Sequence, residues 1–258
     1  MSSESSNSVC CFIICRAFID GGVNNGYNET NIISGDKMIK LSSDDIFLFQ
    51  GDSITHGGRG RSLTDMNHII GHGFQSHLAG RMGFENIERN PLILNRGVSG
   101  DTTAKLLVRW QADTIDLQPT VLNLLVGIND SYFGGEEAAE NYGKNLDKLL
   151  DLTVTALPDI KLIICEPFAF ERVSYDNEDH RRTVLRNIEI CKECALYAKQ
   201  AAEKYNAVFV PFYAEIKRFV DSCAPAQIVW DGVHPTIIGH EIMSRFWYET
   251  VDKSGLLK

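Results

Sequence analysis

The chain is organised around one stretch, Phe47-Leu-Phe-Gln-Gly-Asp-Ser-Ile-Thr-His56. The apolar residues Ile46–Phe49 form a continuous run rather than an alternating one, which predicts a strand buried on both faces. The run breaks at Gly51, and polar residues follow directly. Open parallel sheets bind ligands at the carboxyl ends of their strands, so Ser53 is predicted to present its hydroxyl at a binding edge. Gly-Asp-Ser is also an ordinary turn composition, so the motif needs support from the rest of the chain.

From about residue 40 onward, strand and helix patterns alternate. The strand candidates are Ile46–Phe49, Leu92–Asn95, Val121–Val126, Ile160–Cys165 and Ala207–Val210. The helix candidates span about residues 68–82, 101–116, 136–156, 178–205 and 237–251. Such alternation predicts a parallel sheet with right-handed crossovers and helices on both faces. The predicted class is therefore α/β, a three-layer α/β/α sandwich around a five-stranded parallel sheet.

The chain has the composition of a globular protein with more acidic than basic residues. Its 258 residues are 44% hydrophobic, which is enough apolar material for one sizeable core. The formal net charge is −9 and the basic residues are scattered, so nucleic acid is not an expected partner. No run approaches the ~18 consecutive apolar residues of a membrane span.

The cysteine pattern argues against a disulfide framework. Seven cysteines are an odd number without regular spacing, so free, mostly buried thiols in a reducing compartment are expected. Cys191 and Cys194 form a C-x-x-C pair, but no second pair accompanies it. The pair lies in a helical pattern, with Cys191 on the apolar stripe, so packing is favoured over metal or redox use.

Residues 1–37 differ from the rest and are predicted to be a poorly ordered N-terminal tail, preceding a domain over 38–258. The segment is Ser-rich, then apolar over Cys10–Cys15, then rich in Gly and Asn. A signal-peptide core is the alternative, but Glu4 and Arg16 disfavour it. A cytoplasmic location is therefore favoured, with secretion possible if the segment holds an atypical signal.

Two other strand ends carry loops suited to a binding edge. The second strand leads into Asn95-Arg-Gly-Val-Ser-Gly-Asp-Thr-Thr103, whose two glycines allow a tight turn with outward-pointing backbone N–H groups. The third leads into Val126-Gly-Ile-Asn-Asp130, where Asn129 either caps a turn or points its amide into a cleft.

An acid and a histidine follow in Ile228-Val-Trp-Asp-Gly-Val-His-Pro-Thr236. Gly232 and Pro235 favour a turn in which Asp231 reaches one ring nitrogen of His234, and the other nitrogen faces the cleft.

These residues fit nucleophilic catalysis by serine. A hydroxyl needs a base to take its proton, and the base needs a third group to hold its tautomer. Ser53 is predicted to attack, His234 to act as base and then as acid, and Asp231 to orient the ring. The backbone N–H groups of Ser53 and Gly97, with the Asn129 side chain, are predicted to hold the oxyanion.

In sequence order, the four motifs resemble the blocks of the GDSL or SGNH hydrolases. They are Gly51-Asp-Ser-Ile-Thr55, Asn95-Arg-Gly97, Gly127-Ile-Asn-Asp130 and Asp231-Gly-Val-His-Pro235. The resemblance covers about residues 46–250 and implies a flavodoxin-like sheet, no metal or other cofactor, and ester hydrolysis through an acyl-enzyme. It also implies Ser53, Gly97, Asn129 and His234 as the family's four named residues, with Asp231 completing the triad.

Three stretches are most similar to bacterial members grouped with carbohydrate esterases: Phe49–Thr55, Asn95–Gly100 and Leu107–Gln111. This resemblance implies removal of a small acyl group, most readily acetyl, from a carbohydrate or similar polar carrier. A lysophospholipase or thioesterase acting on longer acyl chains is the alternative with the same chemistry. A catalytically silent binding module is the alternative of another class.

Aromatic residues near the strand ends are candidates for binding the substrate. Trp230, Phe168 and Tyr132 are predicted to line the site, although aromatic residues at such positions equally fit ordinary packing.

Overall fold

The structure is a computed structural model that describes residues 38–60, 62 and 65–258. The predicted N-terminal tail, residues 1–37, lies outside this part of the chain. The strands are β1 Ile46–Gly51, β2 Leu92–Asn95, β3 Val121–Leu125, β4 Lys161–Cys165 and β5 Val208–Val210. They pair in parallel in the order β2-β1-β3-β4-β5. The predicted five-stranded parallel sheet is therefore confirmed.

Helices cover both faces of this sheet. They are α1 Ser53–His56, α2 Phe74–Glu85, α3 Thr103–Asp113, α4 Ile128–Phe133, α5 Ala138–Ala156, α6 Glu178–Lys204, α7 Phe212–Val220 and α8 Ile237–Ser254. Within the described ranges, none of them is long and apolar enough to cross a membrane.

Alternate residues of β1 face two separate hydrophobic cores. Phe47 and Phe49 pack with residues of α2, α7 and α8, including the fully buried Trp247. Leu48 packs on the opposite side with residues of α3, α5 and α6, including Trp110. Since successive side chains of a strand point to opposite faces, the continuous apolar run fills both cores at once. The predicted three-layer sandwich is confirmed.

The order of the strands places Ser53 at a switch point of the chain. From β1 the chain passes to β2 on one side, and β3 then returns to the other side of β1. The loops after β1, β2 and β3 consequently meet at the carboxyl edge beside β1, which is where open α/β sheets bind ligands.

The first predicted helix begins later than the sequence suggested. Residues 68–82 were predicted to be helical, but α2 runs from Phe74 to Glu85 and turns precede it. The His72 N–H donates to the Gly57 carbonyl at 2.8 Å, so the loop after α1 holds this segment in a non-helical path.

Three short helices of the described chain were not predicted, and one of them is α1. None of the predicted helices covers the segment after β5, yet it contains α7, which buries Phe212 and Ile216. This helix has only 9 residues and follows Pro211 without a side-chain cap, so the usual sign of a helix start is missing. The loop after β3 continues into α4, which contains Asn129.

The cysteines that the structure describes are free thiols. Cys165, Cys191 and Cys194 are buried and Cys223 is exposed, in agreement with the prediction for this part of the chain. Burial raises the pKa of each of the three buried thiols. Among the described residues, no group of three or more His, Cys, Asp or Glu side chains is arranged to hold a metal ion.

Candidate active site

Ser53 is the first residue of α1, directly beyond the end of β1. Gly51 makes this sharp turn possible, because its φ of 154° is rare for residues with a side chain and a Cβ atom there would lie 2.1 Å from the Leu125 carbonyl oxygen. The Asp52 carboxylate then accepts the Ile54 N–H at 3.0 Å and caps the helix. The Ser53 hydroxyl is thus fixed at the edge of the sheet.

The structure brings the hydroxyl of Ser53 and the ring of His234 into contact. Ser53 Oγ lies 2.8 Å from His234 Nε2, and His234 Nδ1 lies 2.8 Å from Asp231 Oδ2. The other carboxylate oxygen of Asp231 accepts the N–H groups of Val233 at 3.0 Å and His234 at 2.7 Å. With both oxygens engaged, the carboxylate holds the Nδ1–H tautomer, which leaves Nε2 free to accept the serine proton.

The surroundings favour an ionised acid and a more basic imidazole. Burial raises the pKa of Asp231, but hydrogen bonds from the ring and the backbone of the turn more than offset it and lower the pKa to about 2. The hydrogen bond to Asp231 raises the pKa of His234, against an opposing effect of burial. The charge of Asp52 raises the pKa of His234 further, and the charge of Arg172 lowers it. Burial also raises the pKa of Asp52 itself, to about 7.

Asn129 lies on α4, one residue after the helix begins. Its Nδ2 donates to the Asp101 carbonyl at 3.0 Å, which fixes the direction of the amide. The NH2 group carries two donors, so one N–H remains for another acceptor. The contact also ties the loop after β3 to the loop after β2.

The contacts of Gly97 contradict its predicted role as an oxyanion donor. Its N–H already donates to Asn95 Oδ1 at 2.8 Å. A Cβ atom on Gly97 would lie 2.6 Å from the His56 nitrogen, so this glycine is needed for close packing of the loop against α1. Gly100, in the same loop, has no acceptor for its N–H among the described residues.

A second set of contacts braces the loops that carry Gly100 and Asn129. The buried Asp130 carboxylate accepts the Thr103 N–H at 3.0 and 3.1 Å and the Thr103 hydroxyl at 2.5 Å. Arg109 Nε donates to the Asp101 carboxylate at 2.7 Å. Sequence patterns did not reveal the contact between Thr103 and Asp130, because these residues are 27 positions apart in the chain.

The three predicted substrate-lining aromatic residues lie in different environments. Trp230 is 64% exposed, and its ring is inclined by 29° to that of His234 with 6.4 Å between the centroids. Tyr132 is half-buried. Phe168 is only 1% exposed and packs edge-on against Phe212 in the core. This burial contradicts the prediction that Phe168 lines the substrate site.

Comparison with known proteins identifies the family. The model of the GDSL-like Lipase/Acylhydrolase family matches residues 49–242. An acetylxylan esterase of Geobacillus stearothermophilus is 30% identical over 217 residues, which cover 80% of this chain and 94% of the relative.

Solved structures agree with this result. A protein of Parabacteroides merdae described as a GDSL-like lipase aligns with a TM-score of 0.74 and 33% identity, over 85% of this chain and 99% of that one. The acetylxylan esterase Axe2 of Geobacillus stearothermophilus aligns with a TM-score of 0.67 and 28% identity, over 82% and 96%. These matches show that the chain is a carboxylic ester hydrolase and belongs to the GDSL-like lipase/acylhydrolase family.

Proposed function

We propose that the protein is a serine esterase that removes acetyl groups from a carbohydrate. The observation that carries this proposal is the line of two 2.8 Å contacts from Ser53 through His234 to Asp231. Such a line transfers a proton from the nucleophile to a base whose developing charge is stabilised by a carboxylate.

The first half of the reaction forms an acyl-enzyme. His234 Nε2 takes the proton as Ser53 Oγ attacks the ester carbonyl carbon. The carbonyl oxygen becomes an oxyanion, which accepts hydrogen bonds from the N–H groups of Ser53 and Gly100 and from Asn129 Nδ2. The bond to the sugar oxygen then breaks, and His234 returns its proton to that oxygen.

The second half releases acetate. A water molecule gives a proton to His234 and attacks the acetyl carbon. The tetrahedral intermediate collapses, the bond to Ser53 Oγ breaks, and His234 protonates this oxygen. Asp231 stays ionised throughout, because its low pKa keeps it a carboxylate next to the imidazolium.

The contacts of the loop make the Gly100 N–H a better donor to the oxyanion than the Gly97 N–H. Its N–H is not spent on another acceptor within the described residues. The Val98 N–H donates to the Gly51 carbonyl at 3.0 Å, which places this loop beside the Ser53 turn. The Asn129 amide donates to the carbonyl of Asp101, the residue that follows Gly100 in this loop. The three proposed donors therefore belong to neighbouring strand ends.

Two features of the structure and one relative support a small acyl group on a polar carrier. The His234 side chain is 39% exposed, so the reacting atoms are open to a bulky polar substrate rather than enclosed in an apolar tunnel. The burial of Phe168 removes one apolar group from the predicted lining. The acetylxylan esterase relative also points to a sugar acetate.

An acyl-chain series tests this proposal. We expect the protein to hydrolyse acetylated xylooligosaccharides and p-nitrophenyl acetate, with kcat/KM falling steadily from acetate to octanoate. The Ser53→Ala variant controls for background hydrolysis. A rise in kcat/KM toward octanoate would instead support a lysophospholipase or thioesterase, and hydrolysis unaffected by Ser53→Ala would contradict the serine mechanism.

A further inference from the structure

Arg172 lies on the loop between β4 and α6 and crosses the turn that carries the catalytic acid and base. The Phe170 N–H donates to the Gly232 carbonyl at 2.8 Å, which joins the two loops. The Arg172 N–H donates to the Tyr175 hydroxyl at 3.1 Å, so the backbone on both sides is held. A Cβ atom on Gly232 would lie 3.3 Å from Arg172 Cγ, which places the arginine stem directly over the turn between Asp231 and His234.

The positive charge of Arg172 has no negative partner in the part of the chain that the structure describes. Other arginines pair with carboxylates, as Arg109 does with Asp101 at 2.7 Å and Arg218 with Glu215 at 2.7 Å. Among the described residues, the buried Arg172 Nε has no hydrogen-bond partner. The half-buried phenol of Tyr132 is a neighbouring polar group: burial raises its pKa, and the charge of Arg172 lowers it.

An unpaired cation at this place works against catalysis. The charge of Arg172 lowers the pKa of His234, in opposition to Asp231. The base must become a cation in the transition state, so a neighbouring guanidinium raises the free energy of that state. Leaving guanidinium donors unsatisfied also costs free energy. An anion on the substrate that pairs with the terminal guanidinium nitrogens would offset the charge beside His234 and satisfy those donors.

We propose that Arg172 and the Tyr132 phenol bind a carboxylate on the substrate, so that the preferred substrate is an O-acetylated acidic sugar, a uronic acid unit. A guanidinium presents paired N–H groups that match a carboxylate, and the phenol adds a further donor. The inference rests on the proposed function and adds the charge of the carrier sugar. It differs from an acetylated neutral xylan chain, for which Arg172 would have no ionic partner.

The experiment compares two monosaccharide acetates of the same ring size: the methyl glycoside of O-acetylglucuronic acid, which has a free carboxylate, and the methyl glycoside of O-acetylglucose. The measured quantity is the ratio of their kcat/KM values. We expect the wild type to favour the acid by about 10- to 100-fold, the range for a hydrogen bond to a charged group. The Arg172→Met variant keeps the stem and should bring the ratio near one. Arg172→Lys should give an intermediate ratio, since it keeps the charge without the paired donors.

Two controls separate this inference from its alternatives. Arg218→Met removes the same charge from an exposed site on α7 and should leave the ratio as in the wild type. Calorimetric binding of the glucuronate to Ser53→Ala and to Ser53→Ala/Arg172→Met measures the contact without turnover, and we expect about 10-fold weaker binding in the double variant. If Arg172→Met does not fold, Tyr132→Phe, which removes one donor, should still lower the ratio.

Several outcomes would overturn the inference. A wild-type ratio near one, a ratio that Arg172→Met leaves unchanged, or equal glucuronate binding by the two Ser53→Ala proteins would each do so. Absence of hydrolysis of both sugar acetates would count against the proposed function, whereas equal hydrolysis of both would refute the acidic-sugar preference alone.

Discussion

The two halves of the proposed catalytic centre are built in different ways. Asp231 and His234 lie in one turn, and the hydrogen bonds that set their geometry join residues two or three positions apart. The oxyanion side is instead assembled from separate strand ends, held by hydrogen bonds across 27 or 28 positions. A local half depends on its own sequence, whereas a distributed half depends on the whole sheet. Substitutions that affect both halves, one half, or only the bracing should therefore have effects of decreasing size.

The largest loss of kcat should come from removing the nucleophile or the base, because both halves of the centre act through them. We expect Ser53→Ala, His234→Ala and the double variant each to lower kcat on p-nitrophenyl acetate by on the order of 10⁵- to 10⁶-fold, because the residues act as one unit. Steady-state kinetics on purified variants measure the losses. A double variant that loses nearly the product of the two single losses would contradict a shared step.

Removing one donor should disable only the distributed half. We expect Asn129→Ala to lower kcat by about 100- to 1000-fold with little change in KM, since the oxyanion exists only in the transition state. Asn141→Ala, on the exposed side of α5, is the matched control and should keep wild-type kcat. A loss confined to KM would place Asn129 in ground-state binding instead.

The bracing can be weakened without touching a proposed donor. Thr103→Val removes the hydroxyl that meets the Asp130 carboxylate and should lower the free energy of unfolding by about 1–3 kcal/mol. We expect kcat to fall as well, by less than in Asn129→Ala, because the loop with Gly100 loses one of its anchors. Thr103→Ser should restore both quantities. Lower stability with unchanged kcat, measured by urea unfolding and kinetics, would show that the bracing does not position the donors.

In the unaltered protein, the smallest expected effect is a shift of the pH profile, which reports on the local half. Asp231 raises the pKa of His234, and the base must be neutral to accept a proton. Activity on a neutral ester should therefore be lost as pH falls through a midpoint above the unperturbed value of about 6.5. Asp231→Asn should lower kcat by on the order of 10⁴-fold, because an amide no longer holds the Nδ1–H tautomer, and the midpoint of its residual activity should move to lower pH. A midpoint at or below the unperturbed value in the wild type would contradict the stabilising contact.

The same contrast explains which parts of the site the sequence could predict. The three-residue spacing of Asp231 and His234 in a Gly/Pro turn was enough to predict the contact that the structure shows. The choice of Gly97 over Gly100 depended on a side-chain contact within the folded loop, which no spacing reveals. A second glycine directly before a helix start was the available signal for Gly100.

The fold shows a similar division. The buried strands were predictable because a continuous apolar run of about four to six residues, bounded by turn residues, is too short for a typical helix and fits a buried strand. Helix α7 was missed because it is short and lacks a capping residue. The start of α2 was misplaced because a backbone hydrogen bond to the loop after α1 keeps the preceding residues out of a helical conformation. Phe168 could not be assigned from sequence, since an aromatic residue just beyond a strand can face either the cleft or the core.

The turn at Gly51 limits how this enzyme can be engineered. The Leu125 carbonyl oxygen occupies the place of any side chain at position 51, so libraries that randomise this position would yield mostly misfolded protein. Diversity is better introduced in the segment around Arg172 and at the exposed Trp230, which lie beside the reacting atoms without supporting the strand end. Selection for new acyl acceptors can proceed there while the nucleophile stays in its original setting.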